Sequence, residues 1–347
     1  MAYTTINKHT DYFNTLLYSG TGSARTVSGV GFQPDFFWIK QRSSTQGHLL
    51  WDATRGGNYY LPSNGAGGSA ADIGTFTAAS DGYSLATDGA YNGNSQTYVG
   101  WNWKANGQGS ANNDGSINTT YTSVNTTAGF SIVKYTGNGT SGATVGHGLG
   151  VVPKMIIVKA LSGSNNWAIY HASMGATKYL RLNATDAEAT STARWNDTAP
   201  TSSVFSVGND GEVNSNTVSY VAYCFADKTG YSKFGKYTGN GSTDGTFVYT
   251  GFKPSFVIYK GFSGANTADN WEMVDNKRSP HNGVENVLYP NLQNAEGTGV
   301  TTRMDLLSNG FKMRTSGSDY NNNGATYIYM AFGQSLVGSN NVCATAR

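Results

Sequence analysis

Hydrophobic and polar residues alternate in several short stretches of this chain. The clearest are three segments, "YVGWNWKA" from Tyr98, "YVAYCFAD" from Tyr220 and "YIYMAFGQ" from Tyr327. In each one, bulky apolar residues occupy every second position, and the positions between them carry mainly small residues. This period of two is typical of a β-strand, whose side chains point alternately to opposite faces. Each segment therefore predicts a strand whose bulky face fills a core and whose small face allows another layer or unit to approach closely.

A second pattern is a short apolar run that begins just after a proline and ends in lysine. The three runs are "FFWIK", "MIIVK" and "FVIYK". Their β-branched and aromatic residues favour buried strands, and a proline, which cannot donate to the ladder, suits the start of a strand. We expect each terminal lysine to mark the exit of its strand to solvent. The prolines are Pro34, Pro153 and Pro254, and the lysines are Lys40, Lys159 and Lys260.

These patterns belong to a longer repeat that occurs three times. The repeat begins "YSGTGSARTVSGVGFQPDFFWIK" at Tyr18, "KYTGNGTSGATVGHGLGVVPKMIIVK" at Lys134 and "KYTGNGSTDGTFVYTGFKPSFVIYK" at Lys236. A tryptophan follows each proline at a similar distance, and each unit ends with the alternating strand described above. Repetition over this length indicates duplication of a whole structural unit rather than shared turn chemistry. The recurring tryptophans are Trp51, Trp167 and Trp271.

The repeat predicts the domain organisation. Residues 1–105, 128–228 and 229–347 are expected to be β-sandwich units, the last with a C-terminal tail, and residues 106–127 a polar, flexible linker. Many short strands separated by turns predict an all-β fold of three tandem antiparallel sandwiches, jelly-roll or lectin-like, with one core each. The sequence leaves the strand order open. Because the second and third units abut almost directly, we expect them to form the more rigid pair.

Composition and charge narrow the possible partners. Charged residues make up 13% of the 347 residues and the net charge is +2, without a basic run. This balance gives no electrostatic footprint for nucleic acid or an anionic membrane. The chain also shows no signal-peptide pattern and no long apolar segment, so we expect no membrane insertion and assembly in a cytoplasm. Cys224 and Cys343 have no metal or redox spacing, and Cys224 is expected to be a buried, inert thiol.

The search for catalytic, metal and cofactor chemistry identifies no residues. "GNGTSG" from Gly137 matches a dinucleotide-binding pattern, but a strand-type run follows it where a helix is required. No two of the five histidines stand four residues apart, which argues against a zinc site. The carboxylates Asp52, Glu272 and Asp275 could serve a glycosidase, yet the repeat does not single out a pair among them. We therefore predict no catalytic residue, no metal and no cofactor.

Aromatic residues are the remaining candidates for ligand binding. The three recurring tryptophans could be sugar-stacking platforms, but their place in alternating strands favours core positions. Three other aromatic residues lie in polar stretches that core packing does not obviously include. These ligand-binding candidates are Tyr91, Trp195 and Tyr320.

The assembled repeat resembles a known class of proteins. The segments "YTGNGTSGATVGHGLGVVPKMIIVK", "NNWAIYHASMGATKYLRLN" and "VSYVAYCFAD" are similar to the repeated domain of uncharacterised structural proteins of tailed bacteriophages, especially marine and cyanobacterial ones. The first unit matches through "GFQPDFFWIK" and "WDATRGGNYYL", and the third more loosely through "GFKPSFVIYK". The resemblance implies a lectin-like β-sandwich used as a virion building block, without catalytic residues to transfer.

Three functions follow from these observations. The first is a non-enzymatic virion structural protein, a tail, fibre or capsid decoration component located in the virion and assembled in the host cytoplasm. Its partners would be other virion proteins, further copies of itself in a homo-oligomer and a host-surface glycan. The alternative is a lectin-like, carbohydrate-binding receptor protein, in which repetition gives avidity. A polysaccharide depolymerase is third, and no residue pair favours it.

Overall fold

The computed structural model of the chain describes residues 4–57, 59–71, 76–264, 269–297 and 302–337. These residues form antiparallel sheets joined by loops and short helical turns, so the prediction of an all-β fold is confirmed. Cys343 and the end of the predicted C-terminal tail lie outside the described residues.

The strands fall into three groups along the chain. Group 1 contains β1 (Phe13–Ser19), β2 (Arg25–Ser28), β3 (Phe36–Gln41), β4 (Leu49–Asp52), β5 (Tyr59–Tyr60), β6 (Ala70–Ala71), β7 (Phe76–Ala79), β8 (Gly82–Leu85) and β9 (Thr97–Trp103). Group 2 contains β10 (Thr119–Asn125), β11 (Phe130–Thr136), β12 (Ala143–Gly146), β13 (Met155–Ala160), β14 (Ala168–His171), β15 (Lys178–Arg181), β16 (Ala189–Thr190), β17 (Val204–Val207) and β18 (Ser219–Phe225). Group 3 contains β19 (Ser232–Thr238), β20 (Phe247–Tyr249), β21 (Phe252–Ser263), β22 (Glu272–Asp275), β23 (Met304–Leu307), β24 (Gly310–Met313) and β25 (Thr326–Ser335). The helices are α1 (Gly89–Asn92), α2 (Thr192–Trp195) and α3 (Ser318–Asn321), and a 3-10 turn lies at His9–Asp11.

The same strand order recurs in all three groups. The larger sheet, called the inner sheet below, has the order β1-β9-β3-β4 in group 1 and β19-β25-β21-β22 in group 3. Group 2 contains the equivalent order β11-β18-β13-β14 within a seven-stranded sheet that β10 extends at one edge and β15 and β16 extend at the other. A smaller outer sheet accompanies each inner sheet, and β5 pairs separately with β6. The outer sheets are β2-β8-β7, β12-β17 and β20-β24-β23.

Residues 106–127, which include the first strand of group 2, are part of the fold, so the prediction of a flexible linker there is wrong. Strand β10 lies within it and pairs antiparallel with β11. Before this strand, Ser110 forms a bridge with Thr122, and the buried residue Ile117 forms a bridge with Val145 of β12. The composition resembles that of a linker, but "TTYTSVN" consists largely of β-forming residues that pair once β11 offers a free edge.

The described residues form four hydrophobic cores, where the repeat predicts one core in each unit. In each group, one face of the inner sheet packs against the outer sheet around a core of its own. The opposite, bulky faces of all three inner sheets meet in a fourth core at the centre of the molecule. The closing strands supply much of this central core through Trp101 and Trp103, Tyr223 and Phe225, and Met330 and Phe332. The groups are therefore joined by shared hydrophobic burial, which is the main driving force of such association.

A ring of hydrogen bonds closes the three groups around the central core. A buried aromatic side chain just before the fourth strand of each inner sheet donates to a main-chain carbonyl of another group. The bonds are His48 Nε2 to Tyr289 O at 2.9 Å, Trp167 Nε1 to Pro62 O at 3.0 Å and Trp271 Nε1 to Arg181 O at 2.9 Å. Group 1 thus donates to group 3, group 3 to group 2, and group 2 to group 1.

The ring corrects the predicted equivalence of three tryptophans. All three are buried, as the core interpretation predicts, but His48 rather than Trp51 is the counterpart of Trp167 and Trp271. Trp51 stacks on Phe37 in the core that belongs to group 1 alone. The spacing from proline to tryptophan gave the wrong alignment, because the connection before Trp271 in group 3 is longer than the corresponding connections in the other two groups.

A second ring lies at the opposite end of the same strands. In group 1, the buried carboxylate of Asp52 accepts from Arg55 Nε at 2.5 Å and from Tyr223 Oη of group 2 at 2.8 Å. In group 3, Asp275 accepts from Arg278 Nε at 2.6 Å and from Trp101 Nε1 of group 1 at 3.0 Å.

The third contact of the second ring, between groups 2 and 3, lacks both the buried carboxylate and the side chain that donates to it. The counterpart of Tyr223 and Trp101 in group 3 is Met330, which has no polar hydrogen to donate. Opposite it, group 2 carries His171 in place of the aspartate and Met174 in place of the arginine. His171 lies 3.3 Å through Nε2 from Tyr329 O, while its Nδ1 accepts from Ser173 N at 3.2 Å. Because Nδ1 accepts, Nε2 carries the proton in this neutral imidazole.

The three lysines that end the apolar runs are buried, so the prediction that they exit to solvent is wrong. Each ammonium group turns back onto a main-chain carbonyl, and two of these bonds cross between groups. Burial lowers the pKa of each lysine to about 8. The bonds are Lys40 Nζ to Gln41 O at 2.6 Å, Lys159 Nζ to Ala66 O at 2.8 Å and Lys260 Nζ to Thr185 O at 2.9 Å.

Candidate functional site

A cavity of about 220 Å³ lies where groups 1 and 3 meet. Group 1 contributes the connection between β3 and β4, the segment after β5 and helix α1, while group 3 contributes Gln293. The main chain closes this corner through a bond from Gln46 N to Gln293 O at 2.9 Å. The side chains that characterise the cavity are Gln46, Tyr60, Asn64, Asp88, Tyr91 and Gln293. They combine amides, one carboxylate and two aromatic rings.

Helix α1 holds one wall of the cavity in place. Asp88 caps the helix by accepting from Ala90 N at 2.6 Å, as an N-cap residue does. Asn92 ends the helix and is fully buried, with its amide donating to Ala86 O and Ser23 O. Between these anchors, the carbonyl of Tyr91 accepts from Tyr18 Oη at 2.8 Å. The main chain of α1 is thus fixed in the wall of the cavity.

His48 forms part of the floor of the cavity and is neutral. Its Nδ1 accepts from Trp38 Nε1 at 2.7 Å, so the proton lies on Nε2, which donates to Tyr289 O. Burial lowers the pKa of His48 to about 3. A histidine that is locked in this way has no free ring nitrogen with which to exchange a proton.

Asn64 is the residue through which the three groups can be aligned. Its Oδ1 accepts from His48 N at 2.9 Å. In group 2, Asn183 Oδ1 accepts from Trp167 N at 3.0 Å, and in group 3, Asn291 Oδ1 accepts from Trp271 N at 3.1 Å. These three asparagines are therefore structural counterparts. The sequence shows the same relation as "QGH", "NNW" and "DNW" at residues 46–48, 165–167 and 269–271, once His48 is aligned with the tryptophans.

The corresponding corner of group 2 is filled by its own side chains. Asn166, the counterpart of Gly47, donates through Nδ2 to Glu212 Oε1 at 2.9 Å and accepts from Asn183 Nδ2 at the same distance. Glu212, the counterpart of Ala90, also pairs with Arg181 and Arg194. This polar network occupies the position that is hollow in group 1.

The corner of group 3 is likewise occupied, and it contains a buried acid. Asn270 accepts from Asn291 Nδ2 at 2.7 Å. Nearby, Glu272 accepts a hydrogen bond from Tyr259 and lies 3.5 Å from Arg303 Nε. Burial raises the pKa of Glu272 to about 7, because desolvation outweighs the attraction of Arg303.

Two of the three predicted ligand-binding aromatics are buried. Tyr91 is in the core of group 1, and Trp195 is in the core of group 2 with its ring edge-on to Tyr170. The expectation that core packing does not include these two rings is therefore wrong. The short helices α1 and α2 fold each ring inward, which a polar local sequence does not reveal. Tyr91 still lines the cavity, whereas Trp195 does not.

Tyr320, the third candidate, is half-buried and occupies the position in α3 that Tyr91 occupies in α1. The guanidinium of Arg303 lies 4.2 Å from the centre of its ring. This cation-π contact stabilises the ring in place.

The carboxylates with the potential to serve a glycosidase lie in separate surroundings. Asp52 and Asp275 each form an ion pair with a buried arginine, the first in group 1 and the second in group 3. Glu272 instead accepts a hydrogen bond from Tyr259. Burial opposes ionisation of Asp52, but Arg55 and its other donors hold the pKa below its ordinary value. Across the described residues, no three His, Cys, Asp or Glu side chains are grouped so that they could hold a metal ion.

Two further features concern membranes and thiols. None of the helices in the described ranges has the length and hydropathy needed to cross a bilayer. Cys224 is buried as predicted, and burial raises the pKa of its thiol.

Comparison with known proteins places the chain in one family. No curated protein and no solved structure gives a significant match. One family model, described as a domain of unknown function (DUF7483), matches residues 8–335 and so spans all three groups. The chain belongs to this DUF7483 family.

Proposed function

We propose that the protein is a non-enzymatic structural protein of a tailed-bacteriophage virion, acting as a tail, fibre or capsid decoration component. The observation that carries this proposal is the closed ring of three groups around one central core. An equivalent hydrogen bond joins each pair of groups, and all three share one core, so they form a closed block of the kind that suits a particle component. The sequence resemblance described above supplies the virion context.

The proposal includes its partners and its location. The block docks on other virion proteins, associates with further copies of itself and is assembled in the host cytoplasm. Its outer sheets supply the faces for docking, and the outer strand β20 exposes Phe247 and Tyr249. Sedimentation of the purified protein tests the homo-oligomer, for which a species larger than 36.8 kDa is expected.

Immunogold labelling of intact, purified virions with an antibody against this chain tests the location. Gold over the head supports a decoration role, and gold on the tail or fibres supports a host-contacting role. Pre-immune serum on the same particles is the control. Particles that carry the chain in neither place, by gold and by mass spectrometry of their protein bands, contradict the virion proposal.

Carbohydrate recognition is a second candidate function, and the cavity between groups 1 and 3 favours it. Amide, carboxylate and aromatic groups converge on a concave site, which is the usual composition of a small-molecule pocket. Saturable binding of the purified protein to bacterial surface polysaccharide is the expected result. If no polysaccharide is retained, this second function falls while the structural one stands.

A further inference from the structure

The three groups provide an internal comparison for the cavity. At the two positions where groups 2 and 3 carry Asn166 and Glu212, and Asn270 and Asp319, group 1 carries Gly47 and Ala90. At the next position, His48 replaces the larger Trp167 and Trp271. Three reductions in side-chain size at one corner open the space that the other two groups fill.

The reduction leaves one polar group facing the cavity without its usual partner. Asn183 Nδ2 and Asn291 Nδ2 each donate to the asparagine that precedes the tryptophan, at 2.9 Å and 2.7 Å. Their counterpart Asn64 has only Gly47 at that place, and its Nδ2 makes no hydrogen bond within the described part of the chain. Asn64 is only partly buried, so this amide nitrogen is a donor that a ligand oxygen in the cavity can use.

The lining defines the chemistry of that ligand. Asn64 offers a donor, Asp88 offers an acceptor, and Gln46 and Gln293 offer both, as hydroxyl groups require. No lysine or arginine is among the described residues that line the cavity, so nothing there would balance an anionic ligand. A volume of about 220 Å³ is below the roughly 300 to 1,000 Å³ of pockets for drug-sized ligands, which suits a single ring.

We propose that this cavity binds one neutral sugar residue, with a ring or acetamido oxygen of the sugar accepting from Asn64 Nδ2. Asp88 and the two glutamines bind its hydroxyl groups, and the ring of Tyr60 packs against its carbon skeleton. The proposal deepens the second candidate function, on which it rests, and is independent of the location in the virion. It assigns the site to group 1 alone, because groups 2 and 3 fill the same corner themselves.

The test fills the cavity with the residue that the other groups use. A Cβ on Gly47 would meet Asn64 Oδ1 at 3.4 Å and Nδ2 at 3.8 Å, which is ordinary contact, and the glycine does not have a left-handed backbone. Gly47→Asn should therefore fold and bond to Asn64, as Asn166 bonds to Asn183. Gly67→Asn is the matched control, because a Cβ on this exposed residue meets nothing within 4 Å and it does not line the cavity. Ala90→Glu is a second filling variant, which places in group 1 the residue that group 2 carries as Glu212.

The measurement is ligand-observed NMR of the full chain with glucose, galactose, mannose and N-acetylglucosamine, and with glucuronic acid as the anionic comparison. We expect saturable binding of at least one neutral sugar, loss of that binding in Gly47→Asn and in Ala90→Glu, and retention in Gly67→Asn. Melting curves confirm that each variant is folded. Saturable binding that persists in both filling variants overturns the site but leaves carbohydrate recognition standing, whereas no binding of any neutral sugar by the native chain or of polysaccharide overturns both.

Discussion

Replacing Arg55 with methionine should destabilise the protein strongly, although group 2 carries methionine, Met174, at the same position. Arg55 is the cation that neutralises Asp52, and the side chains are 3% and 0% exposed. In group 2 the residue three positions before Met174 is the neutral His171, so no charge needs a partner. The cost of an arginine-to-methionine change therefore depends on which residue stands opposite.

The magnitude follows from what remains around the carboxylate. Removing one partner of a buried ion pair typically costs about 3 to 5 kcal/mol. Asp52 keeps hydrogen bonds from Thr54 Oγ1, Arg55 N and Tyr223 Oη, and these bonds do not need the arginine side chain. Arg55 also donates to Leu50 O at 2.8 Å and, over longer distances, to Tyr59 O and Ser69 Oγ. Leu50 O keeps a hydrogen bond from Leu61 N when the arginine is removed. We therefore expect Arg55→Met to lose unfolding free energy at the lower end of this range, about 3 kcal/mol.

A double-mutant cycle separates the ion pair from simple packing. Asp52→His alone leaves Arg55 as an unpaired buried cation and should cost a similar amount, whereas Asp52→His with Arg55→Met reproduces the pair found in group 2. Two independent changes would add to about 6 kcal/mol, but the double variant should lose less than about 4 kcal/mol, a coupling of about 2 kcal/mol or more.

Urea unfolding followed by tryptophan fluorescence measures all three variants. Arg314→Met is the matched control, since this arginine is 42% exposed and pairs with Asp305 at 3.4 Å, and it should cost less than about 1 kcal/mol. A loss below about 1 kcal/mol in Arg55→Met, or additive losses in the cycle, would refute the reasoning.

Three further predictions test other parts of the fold. The pKa of Glu272 is raised from 4.5 to about 7, so its contribution to stability is fully present below pH 4.5 and is lost as pH rises through about 7. Glu272→Gln should therefore gain stability relative to the native chain as pH rises, by up to about 3 kcal/mol. Urea titrations at several pH values measure the unfolding free energy of both proteins. A difference between them that does not change with pH contradicts this prediction. Trp167→Phe removes both buried ring atoms and the donor to Pro62 O and should cost about 2 to 4 kcal/mol. Trp195→Phe is the control, because it removes similar atoms from an indole whose Nε1 has no hydrogen bond among the described residues, and it should cost about 1 kcal/mol less. Equal losses in the two variants would show that the hydrogen bond from Trp167 Nε1 to Pro62 O adds no stability. Gly82→Ala places a Cβ in direct clash with Val27 O at a backbone φ of +154°, so thermal unfolding should show a loss of about 2 kcal/mol or more. Gly89→Ala, with nothing within 4 Å, is its control and should be close to neutral.

Only part of the candidate site can be predicted from the sequence. The polar stretch around Tyr91 predicts a ligand-binding role, and this residue does line the cavity, but it does so from a buried position in α1. Reading the sequence alone misses Gly47, Asn64 and Ala90, although the contrast between "QGH" and the "NNW" and "DNW" segments carries the signal. That contrast is visible only when His48 is aligned with the two tryptophans. The longer connection in group 3 hides this alignment from a count of spacings.

The sequence by itself determined the strands and their repetition. Alternation with a period of two depends on the local geometry of an extended backbone, so short segments such as that around Trp101 suffice to show it. The bulky and small faces of the closing strands were likewise visible in the sequence. Which neighbour each face meets was not visible, because that choice depends on residues far apart in the chain.

Only the tertiary structure decided how the three groups associate. It directed the bulky faces of all three inner sheets into one central core, where the repeat predicts separate cores in separate units. It also buried Lys40, Lys159 and Lys260, and it brought loops of another group close enough to offer carbonyl partners to the ammonium groups of Lys159 and Lys260. A charged residue at the end of an apolar run predicts exposure only when no such partner is near. The physical reason is that burial is a property of packing between distant segments, while the hydrophobic pattern is a property of one segment alone.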